Sequence, residues 1–228
     1  MGFIKQDINK RYNPVTKRFQ GLDNQHLTLD PYYHKEYPNF LTIEECKHLS
    51  HVIQEDAETI KQKHPLNPKH TTSYTGLTQY FEVYNWLNHP KVALLNIPQR
   101  LLGLEEFKDW NSALIQCWCN MLHQGQDLPE HTHSGQGTQY ALNIFIDGNP
   151  TTGTTYKDKT IPNQQGTLTM LGCSVLHQVK TNIYQSPRIS MALDIHKGCK
   201  TNKESMLVSH TSTESMCNRF QYYMREDA

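Results

Sequence analysis

The sequence predicts an α+β fold in which helices brace a β-sandwich or barrel. Helical spacing of apolar residues occupies the stretch before residue 108, and from Asp109 onward short apolar blocks alternate with Gly-rich turns. In the last of those blocks Ile189, Met191, Leu193 and Ile195 alternate with Arg188, Ser190, Ala192 and Asp194, which places packing on one strand face and polar groups on the other, as in a strand lining a cavity. A chain of 228 residues can bury a substantial core as one enlarged domain. Its expected parts are an arm over 1–40, a helical support over 41–108, a strand-rich core over 109–196 and an extension over 197–228.

Each part has its own signals. Asn13-Pro14, Asp30-Pro31 and Tyr37-Pro38 interrupt regular structure, so the first part reads as an extended arm with short strands. Thr42 and Glu45 then form a capping box, and Ile43, Cys46, Leu49, Ile53, Ala57 and Ile60 follow helical spacing up to Pro65. A polar loop to about Gly76 leads into a second helical zone, where Phe81, Trp86, Leu87, Val92, Leu95 and Leu102 would face a sheet and Pro90 and Pro98 divide the zone into short pieces. Strands are expected over 114–122, 138–146, 154–157, 166–171 and 188–195. The extension, with Phe220, Tyr222 and Tyr223 among Ser, Thr, Asn and charge, reads as peripheral strands or a mobile tail.

Lys plus Arg and Asp plus Glu both number 22, so no global field draws the protein to nucleic acid or an anionic membrane. Apolar runs such as 141–146 are far too short to span a bilayer, and the opening residues lack a signal-peptide core. Gly2 is not in a myristoylation context, because Gln6 stands where Ser or Thr is wanted. A soluble, cytoplasmic protein is therefore expected. The six cysteines (Cys46, Cys117, Cys119, Cys173, Cys199 and Cys217) are scattered and read as reduced thiols, with Cys117 and Cys119 as buried strand residues rather than metal ligands.

The chemistry concentrates between Glu130 and Ser190. His131 and His133 are two apart, so on a strand both imidazoles share a face and can grip one cation, and His177 can return from a later strand as a third ligand. Arg188 offers a planar fork for a carboxylate, with Ser190 beside it. A structural zinc site has four closed ligands and no use for a carboxylate clamp, whereas three histidines leave positions for a chelating acid and dioxygen. Trp118 and Asn120 share a strand face, and Tyr140 begins a strand soon after the histidine pair, so Asn120 and Tyr140 are candidates to hydrogen-bond a co-substrate. Gly135 and Gly137 are expected to form a flexible turn beside the metal. Asp127 and Glu130 are nearby carboxylates, but Glu130 has the wrong strand parity relative to His131.

These residues resemble the Fe(II)- and 2-oxoglutarate-dependent dioxygenases, most closely the small oxygenases of phages and bacteria. The likeness rests on Trp118-Cys119-Asn120, Gly125, His131-Thr132-His133, Gly166-Thr167-Leu168, His177 and Arg188-Ile189-Ser190, and covers roughly residues 112–196. Phe40 to Glu45 also looks like the start of a prolyl-hydroxylase-type support helix. The resemblance implies a double-stranded β-helix (jelly-roll, cupin-like) core with N-terminal supporting helices. It implies Fe(II) held by His131 and His177, with His133 where the wider family has a carboxylate, and Arg188 and Ser190 on the distal carboxylate of 2-oxoglutarate. The implied reaction uses O2 to hydroxylate a small molecule or protein side chain while 2-oxoglutarate becomes succinate and CO2. Two alternatives stand beside it: a three-histidine cupin-type dioxygenase independent of 2-oxoglutarate, and a non-catalytic jelly-roll binding module.

Overall fold

A computed structural model describes residues 3–6, 12–13, 18–19, 33–66, 76–110, 112–133, 138–156, 159–197, 206–207 and 221–225. The expected Gly135–Gly137 turn, most of the N-terminal arm, much of the extension, Lys157, Cys199 and Cys217 lie outside the described residues. Among those that are described, no helix is long and apolar enough to cross a membrane.

The described residues form fourteen strands: β1 (Phe3–Gln6), β2 (Tyr12–Asn13), β3 (Arg18–Phe19), β4 (His34–Tyr37), β5 (Ser112–Leu122), β6 (Leu128–His131), β7 (Tyr140–Asp147), β8 (Thr154–Tyr156), β9 (Lys159–Ile161), β10 (Leu168–Gly172), β11 (His177–Val179), β12 (Arg188–Lys197), β13 (Met206–Leu207) and β14 (Gln221–Arg225). A seven-stranded sheet runs β1-β14-β5-β12-β7-β10-β4, a four-stranded sheet runs β6-β11-β8-β9, and β13-β3-β2 form a small third sheet. Pairing is antiparallel throughout. The two larger sheets make the jelly-roll core.

Alternation divides the large sheet into two working faces. On β12, Ile189, Met191, Leu193 and Ile195 join Cys117 and Cys119 of β5, Leu142 and Ile144 of β7, and Met170 of β10 in the main core. Helix α1 (Ile43–Lys63) covers that face with Cys46, Leu49, Val52, Ile53, Ala57 and Ile60. Each fully buried Leu or Ile there contributes roughly 1.5–3 kcal/mol, so packing rather than intrinsic propensity fixes the helix. Gly166 seats the start of α1: its φ is +79°, and a Cβ there would lie 2.2 Å from the Leu41 carbonyl oxygen. The second helical zone is a series of short pieces, including α2 (Pro90–Ala93), α3 (Ile97–Leu102) and three 3-10 turns, and Pro90 and Pro98 open the two α pieces instead of ending them.

The capping box is formed as the sequence implies. The Glu45 amide donates to Thr42 Oγ1 at 3.1 Å and the Thr42 amide to Glu45 Oε2 at 2.8 Å. Arg100 from α3 donates to both carboxylate oxygens, one bond being Nη1 to Oε2 at 3.0 Å. Chiefly through these Arg100 bonds, the Glu45 carboxyl is held down to about 2 from an ordinary 4.5. Its stabilisation is therefore present above pH 4.5 and lost as pH falls through about 2. The Arg100 side chain is 37% exposed, and solvent screens the pair. Glu45→Gln should consequently cost about 1–2 kcal/mol in urea unfolding near neutrality. The difference from wild type should close below about pH 2.

Candidate metal and dicarboxylate site

Between the two larger sheets lies a cavity of about 200 Å³, reached by the face of β12 that carries Arg188, Ala192 and Asp194 and by His131, His133, His177, Trp118 and Asn120. Strand register builds its histidine end. His177 of β11 pairs with His131 of β6 on one side and with Tyr156 of β8 on the other. His133 lies just beyond the end of β6, so the pair does not share one strand as the spacing suggests. The His133 amide instead donates to the Cys173 carbonyl at 2.8 Å, and the residue lines the cavity. Ring centroids are 4.3 Å apart for His131–His177, 5.2 Å for His131–His133 and 5.1 Å for His133–His177. One ligand atom from each lies within 4.8 Å of the others, an arrangement that can hold a metal ion. Asp127 and Glu130 are outside this group.

Every ring has its Nδ1 engaged. His131 Nδ1 is 2.7 Å from the Pro129 carbonyl oxygen, His177 Nδ1 is 2.9 Å from that of Val175, and His133 Nδ1 is 2.6 Å from Asp194 Oδ1. With Nδ1–H donating in each case, Nε2 is left as the lone-pair atom, the pattern by which outer hydrogen bonds orient metal ligands. Burial, aided by the other two histidines, pushes His177 down to about 3, and burial likewise lowers His131. Burial thus favours the neutral imidazole at both, the form that ligation requires. At His133 burial also acts downward, but the charge and hydrogen bond of Asp194 outweigh it and the net shift is upward. Trp118 stacks on the His133 ring, with centroids 5.7 Å apart and planes at 23°.

The other end of the cavity is set by Arg188, only 1% exposed. Its Nε donates to the Thr152 carbonyl at 3.0 Å, Nη1 to Ser190 Oγ at 3.0 Å, and Nη2 to Thr154 Oγ1 at 3.2 Å and Asn163 Oδ1 at 3.4 Å. Gly153 lets this frame close, since a Cβ there would meet the Ile161 carbonyl oxygen at 2.1 Å. Burial draws the guanidinium down to about 10, which leaves it charged at neutrality. Among the described residues no carboxylate pairs with it.

Asn120 lines the cavity, lies opposite Ser190, and has a buried Oδ1 with no hydrogen-bond partner among the described residues. Tyr140 does not reach the cavity: parity puts that ring on the opposite face of β7, in edge contact with Tyr33 and Phe107 and near Trp110. Among the described residues Tyr156 is the tyrosine that lines the cavity, and burial pushes its hydroxyl up to about 12. Cys117 and Cys119 are buried on the helix-covered face, away from the histidines. Thr154, Asn163 and Asp194 are site residues that the motifs do not reveal. Only Asp194 carries a signal in the sequence, its place on the polar side of the β12 alternation.

No family model and no curated protein matches the sequence. Among solved structures, the fold is similar to the non-heme alpha ketoglutarate dependent carbocyclase SnoK from nogalamycin biosynthesis, at 13% identity and a TM-score of 0.50 over 73% of this chain and 80% of that one. It is similar to the same degree to AviO1 from Streptomyces viridochromogenes Tue57, at 14% identity and a TM-score of 0.50 over 78% of this chain and 93% of that one. The chain therefore has a double-stranded β-helix fold, with three histidines and a buried arginine facing one cavity.

Proposed function

We propose that the protein is an Fe(II)- and 2-oxoglutarate-dependent oxygenase that hydroxylates a C–H bond of a small molecule or a protein side chain. The observation that carries this reading is the pairing, in one cavity, of three Nδ1-anchored histidines with a fully buried arginine that has no carboxylate partner among the described residues. A buried cation without a counter-ion is costly, and the fork of Arg188 suits the distal carboxylate of a dicarboxylic acid. The donor set fits the group, because neutral imidazoles with open positions suit non-haem iron. His131, His133 and His177 would hold the ion. When bound, Fe(II) supplies the oxidation of the substrate by dioxygen while 2-oxoglutarate leaves as succinate and CO2.

The chain's own residues bind, orient and exclude. Arg188 and Ser190 fix the distal carboxylate, and Asn120 Oδ1 is placed to accept a hydrogen bond from a donor within the cavity. Trp118 and Phe81, with ring centroids 6.0 Å apart, give the cavity an aromatic wall that sheds water. The all-histidine set also suits a cupin-type dioxygenase, but that reading leaves Arg188 without a task. Purified protein supplied with Fe(II), ascorbate and 2-oxoglutarate should release succinate slowly even without a prime substrate. An iron-dependent oxidation that ignores 2-oxoglutarate would favour the cupin-type reading. Absence of iron binding, with ligand binding that survives His131→Ala, would favour a non-catalytic module.

A further inference from the structure

The three histidines are held by unlike partners. His131 and His177 give Nδ1 to backbone carbonyls, whereas His133 gives it to a side-chain carboxylate at 2.6 Å. That carboxylate is itself buried, with Asp194 4% exposed, and it stands on β12 on the same face as Arg188 and Ser190. Burying a carboxylate is unfavourable unless a cationic centre compensates it. Three neutral imidazoles bring no charge to a divalent ion, so the ion would be more cationic than one held by a set that includes a carboxylate.

We propose that Asp194 and His133 act together as one anionic ligand: Asp194 holds the Nδ1 proton, keeps Nε2 aimed into the cavity, and returns through the ring the negative charge that an all-histidine set lacks. This rests on the reading of His131, His133 and His177 as the metal set. Charge then balances across the cavity, the divalent ion and Arg188 against a dicarboxylate and Asp194. Trp118 completes the arrangement by stacking on the His133 ring and restricting its rotation. Asp194 is thus a positioning residue that acts through His133.

The test uses Co(II), whose visible absorption reports histidine ligation, in the full-length protein. Apparent Co(II) affinity is measured against a competing chelator for wild type, Asp194→Asn and Asp194→Ala. Asn keeps the size and a hydrogen-bond acceptor but removes the charge, and Ala removes both. Affinity should fall about 10-fold in Asp194→Asn and towards about 100-fold in Asp194→Ala. In proton NMR of the Co(II) protein in water, wild type should show a hyperfine-shifted Nδ1–H signal for each of the three histidines. Asp194→Ala should lose that of His133 to exchange and retain the other two. Circular dichroism of the metal-free variants checks that the fold is kept. Wild-type affinity in both variants with every Nδ1–H signal present would overturn the proposal, and wild-type affinity in Asp194→Asn alone would overturn its charge component. If folded wild type binds no Co(II), the three-histidine reading fails together with it, an outcome distinct from tight wild-type binding that ignores Asp194.

Discussion

Arg188→Met should raise the 2-oxoglutarate concentration needed for half-saturation by about 100-fold or more, the effect of leaving a buried carboxylate without its partner, on the order of 3 kcal/mol. The effect belongs to co-substrate binding alone. The hydrogen bonds of Arg188 go to Thr152, Ser190, Thr154 and Asn163 and to none of the histidines, so metal affinity should be unchanged. Methionine fills much of the same volume but leaves buried acceptors such as Asn163 Oδ1 without their donor, so the ligand-free variant should fold at a cost of about 1–3 kcal/mol. Lysine would not rescue, because an ammonium cannot reproduce the planar fork. Calorimetric titration of the Mn(II)-loaded protein with 2-oxoglutarate, beside thermal melts without it, checks both halves. Unchanged 2-oxoglutarate affinity in a folded variant would remove Arg188 from the site.

His177→Ala should weaken divalent-metal binding by about 1,000-fold or more and abolish succinate formation, since it deletes one of three ligands outright rather than an outer partner, for which the usual loss is about 10–100-fold. The ring sits between Tyr156 and His131 in register and against His133, so it is central to the cluster. Its loss leaves a small cavity, and the metal-free fold should survive at a cost of about 1–3 kcal/mol. Metal content after dialysis and succinate release, measured on the same preparation, decide the matter. Ordinary succinate production by the variant would contradict the assignment of His177.

Much of this arrangement is legible in the sequence where one face of an element differs from the other. The capping box of Thr42 and Glu45 and the apolar stripe of α1 are local patterns, and they fold as their spacing implies. β12 alternates cleanly, so the cavity face of Arg188 and Ser190 is readable from residue spacing alone. β7 is different. Like β12 it is buried on both faces, but its cavity side carries Ala141 and Phe145 beside Asn143, so the polar and apolar alternation fades and parity cannot be read; this is why Tyr140 belongs to the core while Ala141 and Asn143 line the cavity. The strands β6, β9 and β11 have only three or four residues, too few to show a period. The contact of His133 with Asp194 joins residues 61 apart in sequence, and only the strand order brings them together.

The most direct measurement is an anaerobic titration of the Fe(II)-loaded protein with 2-oxoglutarate, followed by visible absorption. A weak metal-to-ligand charge-transfer band that grows and saturates with 2-oxoglutarate, and that needs far more of it in Arg188→Met, is the expected result. A protein with confirmed iron loading that gives no such band at any 2-oxoglutarate concentration would contradict the proposed oxygenase site.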